Sequence, residues 1–217
     1  MQNPFIPGYQ QLPSTLPIFP LPGAVVMPGA QLPLNIFEPR YLDMVQDALA
    51  SHHLIGMIQP EDDGQLSAPR LHSTGCAGRI SFYNETVDGR IEIILTGICR
   101  FDIVTELPSE RGYRLITPNW ERFSSDYDLN LPTTEEKRSR IYSALDRYLQ
   151  FNELKTDTDL LKKLTAPQLV NVLTTALPLS QADKQSILDT VSFNERFQLL
   201  MAKMEIASST ASSHLTH

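Results

Sequence analysis

FPLPGAVVMPGAQLPLNIFEPRYLDMV, Phe19–Val45, sets five prolines into a run of large apolar residues near the start of the chain. A signal peptide, a membrane span, a catalytic loop and a folded β-rich entry segment would each leave some of these marks. Proline fixes φ, lacks a backbone donor and pushes its predecessor toward extended geometry. Leu16–Phe19, Ala24–Met27 and Gln31–Ile36 therefore read as short extended pieces, separated by turns at Pro22-Gly23 and Pro28-Gly29. Pro33 inside the third piece points to an edge position or a bulge. Pro39 suits the first position of a helix, where its missing N–H has no partner to lose. Tyr41, Val45 and Leu49, with Met44 and Ala48 beside them, then give the apolar stripe of a helix over residues 39–50.

The rest of the chain excludes the competing readings. MQNPFIPGYQQLP has no positive n-region and no continuous apolar core, so it is not a secretory signal. No run of eighteen apolar residues exists, so no transmembrane helix is expected. Hydrophobic residues at 41% and charged residues at 20% are ordinary for a globular protein. Cys76 and Cys99 are too few for a disulfide scaffold and lack metal-ligand spacing; buried thiols in a cytoplasmic protein are the simpler reading.

Strand signals dominate from Leu54 to Trp120. Leu54–Gln59 is a short apolar strand, and Cys76–Tyr83 alternates in character. Asp88-Gly89 marks a hairpin, after which Ile91, Ile93 and Leu95 share one face. Ile98–Leu107 and Gly112–Pro118 supply two further strands. Many short strands with one helix predict an antiparallel barrel over residues 1–121. Residues 122–132 read as a linker, and from Thr133 every strong signal is helical. Thr133 with Glu136, Ser180 with Asp183 and Ser192 with Glu195 mark helix starts, as does Thr165 with Pro167. Asp159–Leu164 reads as a shorter helix. An antiparallel bundle is expected over 133–206, with a disordered tail over 207–217. The fold class is α+β.

Motifs for chemistry are scarce. No glycine is followed two residues later by another, which removes the dinucleotide fingerprint, and none is followed four later by another, which removes the G-x-S-x-G elbow. The chain has no Gly-Lys pair and so no P-loop. His52 and His53 are adjacent and diverge on a helix, while His72, His214 and His217 stand apart, so no metal site is expected. Asp126-Tyr127-Asp128 imitates a calcium loop, but Leu131 and Lys137 occupy the positions that need Gly and Glu. The Glu61–Asp63 run reads as a solvated loop. Gly75-Cys76-Ala77-Gly78 has the form of an RNA clamp without basic neighbours. No catalytic residue and no cofactor are assigned.

Net charge is −7, and residues 1–120 carry seven Arg, no Lys and twelve acids, a balance of −5. That argues against nucleic acid and anionic membrane as partners.

A specific resemblance adds to this reading. LPIFPLPGAVVMPGAQLPLNIFEPRYLDMVQDAL (Leu16–Leu49) resembles the start of the N-terminal, substrate-binding domain of Lon proteases. GCAGRISFYNETVDGRIEIILTGICRFDIV (Gly75–Val104) and LPLSQADKQSILDTVSFNERFQLL (Leu177–Leu200) are similar to its hairpin region and its closing helices. The resemblance implies a PUA-like antiparallel pseudo-β-barrel followed by a helical bundle. It also implies a stand-alone module without the family's ATPase and peptidase domains, which recognises unfolded or degron-bearing polypeptide and works beside a protease.

Within Phe37-Glu38-Pro39-Arg40-Tyr41, packing alone would bury Phe37 and Tyr41. On a functional reading, Arg40, with its neighbour Tyr41, or the Met27-Pro28 turn touches bound polypeptide. Met27 and Met57 are the expected flexible lining of an apolar groove. Edge strands of an open barrel offer a second mode, strand addition. RNA binding, by analogy of fold, and an assembly role for the helices are the alternatives. A hydrolase would need paired titratable groups that the sequence does not offer, and the oligomeric state is not legible.

Overall fold

The computed structural model describes residues 5–61, 69–127, 135–153 and 158–209. Six strands form one sheet: β1 (Leu16–Pro20), β2 (Gln31–Ile36), β3 (Leu54–Ile58), β4 (Thr74–Glu85), β5 (Ile91–Leu107) and β6 (Arg114–Asn119). Their order is β2-β5-β4-β3-β1-β6, and β5 also pairs with β6, which closes the barrel. β5 makes this geometry. Its first half holds β2, from Gln31↔Thr96 to Ile36↔Ile91, and its second half holds β6, from Asp102↔Asn119 to Leu107↔Leu115. Register shifts leave Ile98 of β5 extra against β4 and Val104 of β5 extra against β6, and a third leaves Ser81 of β4 extra against β5; such bulges bend the two long strands around the core.

The sheet is mixed rather than wholly antiparallel. β1 and β3 run parallel, with Ile18↔Gly56 and Phe19↔Met57 in register. Both strands are continuous apolar runs, buried at almost every residue, as strands covered on both faces must be. The connection between them carries β2 and α1 (Pro39–Leu49), whose Tyr41, Met44, Val45 and Ala48 pack on the barrel core.

Ala24–Met27 is not a strand. It enters the core as irregular chain with Val25, Val26 and Met27 buried. The following turn keeps the predicted chemistry: Ala30 N–H donates to Met27 C=O at 2.9 Å, with Gly29 at φ +77°. It presses on Gly97, where a Cβ would lie 2.1 Å from the Met27 carbonyl oxygen.

The helical part comprises α2 (Glu135–Phe151), α3 (Thr158–Leu161), α4 (Ala166–Ala176), α5 (Gln181–Asp189) and α6 (Phe193–Ser209). Ile141, Leu145, Leu169, Leu173, Phe197 and Leu200 carry its separate core. Thr165 and Gln168 form a reciprocal capping box, and Ser180 Oγ accepts from Asp183 N–H at 3.1 Å. Ser192 Oγ accepts from Glu195 N–H at 3.5 Å. The Thr133 cap lies outside the described residues. α6 runs on to Ser209, past the expected end of the bundle, and residues 210–217 lie outside the described residues.

The first part of the expected linker is structured. Glu121–Tyr127 is 3₁₀-helical with a kink at Phe123 (φ −115°, ψ 18°); Phe123 is fully buried and Asp126 only 3% exposed. Residues 128–132 lie outside the described residues. The helices also reach the barrel through a buried amide chain. Gln59 Nε2 donates to Gln185 Oε1 at 2.9 Å and to Gln181 C=O at 3.1 Å, and Gln185 Nε2 donates to Thr74 C=O at 3.2 Å. Buried polar groups hold position when satisfied in this way, because leaving one unpaired costs its full desolvation.

Candidate functional site

A cleft of about 910 Å³ opens at the end of the barrel where the Phe19–Tyr41 stretch folds back on itself. One wall is Pro33, Leu34 and Asn35 of β2 with Phe37, Arg40 and Tyr41 at the start of α1. The other wall is Phe19–Pro22 at the end of β1 with Tyr113 and Arg114 at the start of β6, and Pro60 and Pro69 complete the lining. The sequence builds this place locally. Pro39 starts α1 directly after β2, so strand edge and helix N-terminus meet at Phe37-Glu38.

Phe19 and Tyr41 pack with ring centroids 4.3 Å apart and planes tilted by 51°. The Arg40 guanidinium lies 4.6 Å from the centre of the Tyr41 ring and 2.9 Å from a Glu38 carboxylate oxygen. Burial raises the Tyr41 phenol above its ordinary range, with Arg40 and Arg114 pulling the other way and Glu38 adding to the rise. The ring therefore presents a neutral hydroxyl at physiological pH. Phe37 stands 62% exposed at the cleft mouth, with the Arg90 guanidinium 5.7 Å from its ring.

Opposite, Arg114 donates to the Pro69 carbonyl at 2.8 Å and to Glu106 at 2.9 Å. The β5–β6 tip is held on α1. Arg111 reaches Asp43 at 2.9 Å and Asp47 at 2.7 Å, and the Tyr113 hydroxyl donates to Asp47 Oδ2 at 2.7 Å. Burial first, then that hydrogen bond, push the Tyr113 phenol up to about 12. Gly112 sits at φ +78° between them. Each cationic side chain of the cleft thus has an anionic neighbour, and the surfaces left over are aromatic rings, proline rings and backbone. Such a surface suits polypeptide better than phosphate.

The sequence-predicted site residues divide. Arg40 and Tyr41 come together in the cleft. Met27, Pro28 and Met57 do not: all three are buried, with Met27 0% and Met57 1% exposed. Their positions correct the expected groove lining. The two thioethers fill the barrel core, Met27 N–H donates to Thr175 Oγ1 and the Pro28 carbonyl accepts from Asn171 Nδ2, so α4 covers the turn. Phe37 is corrected the other way, exposed rather than packed. Its signal was present in QLPLNIF, where period two puts Gln31, Pro33, Asn35 and Phe37 on the side opposite Leu32, Leu34 and Ile36. Phe19, Tyr113 and Arg114 had no such signal, since only the closed barrel brings them to β2.

For other chemistry the structure offers little. Burial pushes both the Cys76 and Cys99 thiols well up, away from the reactive thiolate. Among the described residues no group of three or more His, Cys, Asp or Glu side chains could hold a metal ion. The Asp126 carboxylate of the calcium-like stretch is occupied by Arg100. Gly75 and Gly78 lie within β4, where a Cβ on Gly75 would fall 2.6 Å from the Met57 carbonyl oxygen, so they serve packing. Among the described residues no helix is long and apolar enough to cross a membrane.

The family model for the ATP-dependent protease La (LON) substrate-binding domain matches residues 15–205. The chain belongs to this family. Members of the Lon substrate-binding family with solved structures share its fold. The Lon N-terminal domain protein from Xanthomonas campestris superimposes with a TM-score of 0.64 at 25% identity, covering 87% of this chain and 97% of that one. The N-terminal domain of Lon protease from the Mycobacterium avium complex gives the same TM-score at 19% identity, a likeness of fold alone. The Lon protease of Flavobacterium johnsoniae is 27% identical over 199 residues, which is 86% of this chain and 23% of that enzyme. The Lon protease of Escherichia coli K12 is 24% identical over 203 residues, 88% of this chain and 24% of that enzyme. The chain thus spans about a quarter of the length of these Lon proteases, the quarter that carries the substrate-binding domain.

Proposed function

We propose that this chain is a non-catalytic recognition module that captures unfolded or degron-bearing polypeptide in the cytoplasm and presents it to a protease, as part of protein quality control. The observation that carries this reading is the cleft between β2 and the β1–β6 wall. It is built by the family's own segment, exposes Phe37, backs it with the Phe19–Tyr41 pair and leaves no net charge unpaired. An unfolded chain offers apolar side chains and free backbone groups, and both find complements there. Folded proteins bury both and are passed over.

The test is a titration of the purified chain with reduced, carboxymethylated lysozyme, a permanently unfolded protein, followed by fluorescence anisotropy. Saturable binding at micromolar concentration is expected, with native lysozyme silent. Phe37→Asp should weaken it about tenfold or more, since one buried aromatic contributes roughly 1.5–3 kcal/mol. Absence of saturable binding at high micromolar concentration, or equal affinity for Phe37→Asp, would overturn the proposal.

A further inference from the structure

Among the described residues β2 is hydrogen-bonded to β5 and to no other strand. The direction of its free side follows from two observations. Gly97 N–H donates to the Ala30 carbonyl, so Ala30 and, by the alternation of a strand, Leu32, Leu34 and Ile36 turn their backbone groups toward β5. Pro33 has no N–H to give a ladder and falls on the opposite phase, the only place a strand tolerates it. Gln31, Pro33 and Asn35 therefore aim their backbone groups away from the sheet. α4 lies against β2, but the cleft opens along Pro33, Leu34 and Asn35. Among the described residues no hydrogen bond from another element reaches the Pro33 carbonyl or the Asn35 N–H and carbonyl on that side.

We infer that polypeptide binds by adding a short extended strand to the Pro33–Asn35 edge of β2, inside the cleft. This rests on the recognition role proposed above and states how it is carried out. The Pro33 carbonyl accepts one bond from the incoming chain, and Asn35 donates one and accepts one. Because these bonds are made to backbone, they are indifferent to sequence, as a receptor for varied unfolded chains requires. Alternate side chains of the added strand then face the Tyr41 and Phe37 rings or solvent. A second copy of this chain is not the occupant. Two β2 edges facing each other would meet with a donor missing at both Pro33 residues, and each copy would also have to bring its own Tyr113 and Arg114, which line the same cleft, into the join.

The experiment is amide hydrogen exchange by NMR on the full chain, with reduced, carboxymethylated lysozyme as the probe, together with titration of Asn35→Pro against Asn35→Ala. Exchange of the Asn35 amide should slow about tenfold on saturation. Asn35→Pro removes that outward donor without touching the β5 ladder, and should bind about three- to tenfold more weakly than Asn35→Ala, the effect of one hydrogen bond. The exchange measurement on the natural chain decides the matter even where the proline variant does not fold. If Phe37→Asp weakens binding while Asn35 exchange is unchanged and the two Asn35 variants bind alike, the strand-addition mode is wrong and the cleft reading stands. Protection of Asn35 that rises with protein concentration in the absence of probe would assign the edge to a second copy and overturn the inference. Failure of the natural chain to bind the probe removes both readings.

Discussion

Arg100 and Asp126 approach to 2.7 Å with side chains 0% and 2% exposed, and this pair ties the barrel to the helices. Arg100 lies on β5 and Asp126 on the 3₁₀ helix that follows β6. The guanidinium also donates to the Leu188 carbonyl at 2.9 Å and to the Thr190 carbonyl at 2.6 Å, at the end of α5. Asp126 in turn accepts from the Arg100 backbone N–H at 2.9 Å. One cation therefore satisfies a carboxylate and two carbonyls from two other segments. Such a pair is conditional: it is stable only while every member is present.

Asp126→Ala leaves the Arg100 charge buried and should cost about 3–5 kcal/mol. Urea unfolding followed by circular dichroism measures it. Replacing both partners by apolar residues should not restore full stability, because the Leu188 carbonyl would lose its guanidinium donor and the Thr190 carbonyl would keep only that of Arg196. A double-mutant cycle reads this directly.

Gly97→Ala places a methyl group where the Met27 carbonyl oxygen lies 2.1 Å away. The obstacle is backbone, so the Met27–Pro28 turn must move and its bonds to α4 loosen. A loss of about 1–3 kcal/mol or more is expected, seen as a lower urea midpoint. A variant as stable as the natural chain would show that the turn yields freely.

Arg111→Ala should leave the urea midpoint nearly unchanged, since its pairs with Asp43 and Asp47 are solvent-exposed. Its effect is local. The Gly112–Arg114 amides at the cleft wall should exchange faster, and the same change should follow high salt in the natural chain.

Tyr113 supplies a pH dependence. Its phenol is raised from an ordinary value of 10.0 to about 12, so the folded state favours the neutral ring. The stabilisation is fully present below pH 10 and is lost as pH rises through about 12. Ionisation also places a second negative charge beside Asp47. Tyr113→Phe should flatten this alkaline decline, measured by urea unfolding at a series of pH values.

Much of the fold was legible in local chemistry. The Pro28-Gly29 turn, Pro39 at the start of α1, the Thr165 and Ser180 caps and the alternation of β5 each depend on residues within a few positions of one another. The parallel β1–β3 pairing was less so, because a continuous apolar run does not state which neighbour it will take. Phe123 and Asp126 read as linker because their partners, Arg100 above all, lie far away in sequence.

The cleft divides in the same way. Arg40 and Tyr41 at the start of α1 and Pro33 at an edge were legible in sequence alone; the alternation of QLPLNIF also turns Asn35 and Phe37 outward, but the size of Phe37 argued for packing and outweighed it. Burial of Met27 and Met57, and the arrival of Phe19, Tyr113 and Arg114 opposite β2, were decided only when β5 bent and closed the barrel. Flexible, apolar methionine suits a groove and a core equally, and its own chemistry does not choose between them. Sequence determined which residues turn outward from each element; tertiary packing determined which outward faces stayed uncovered, because covering depends on chain brought from elsewhere.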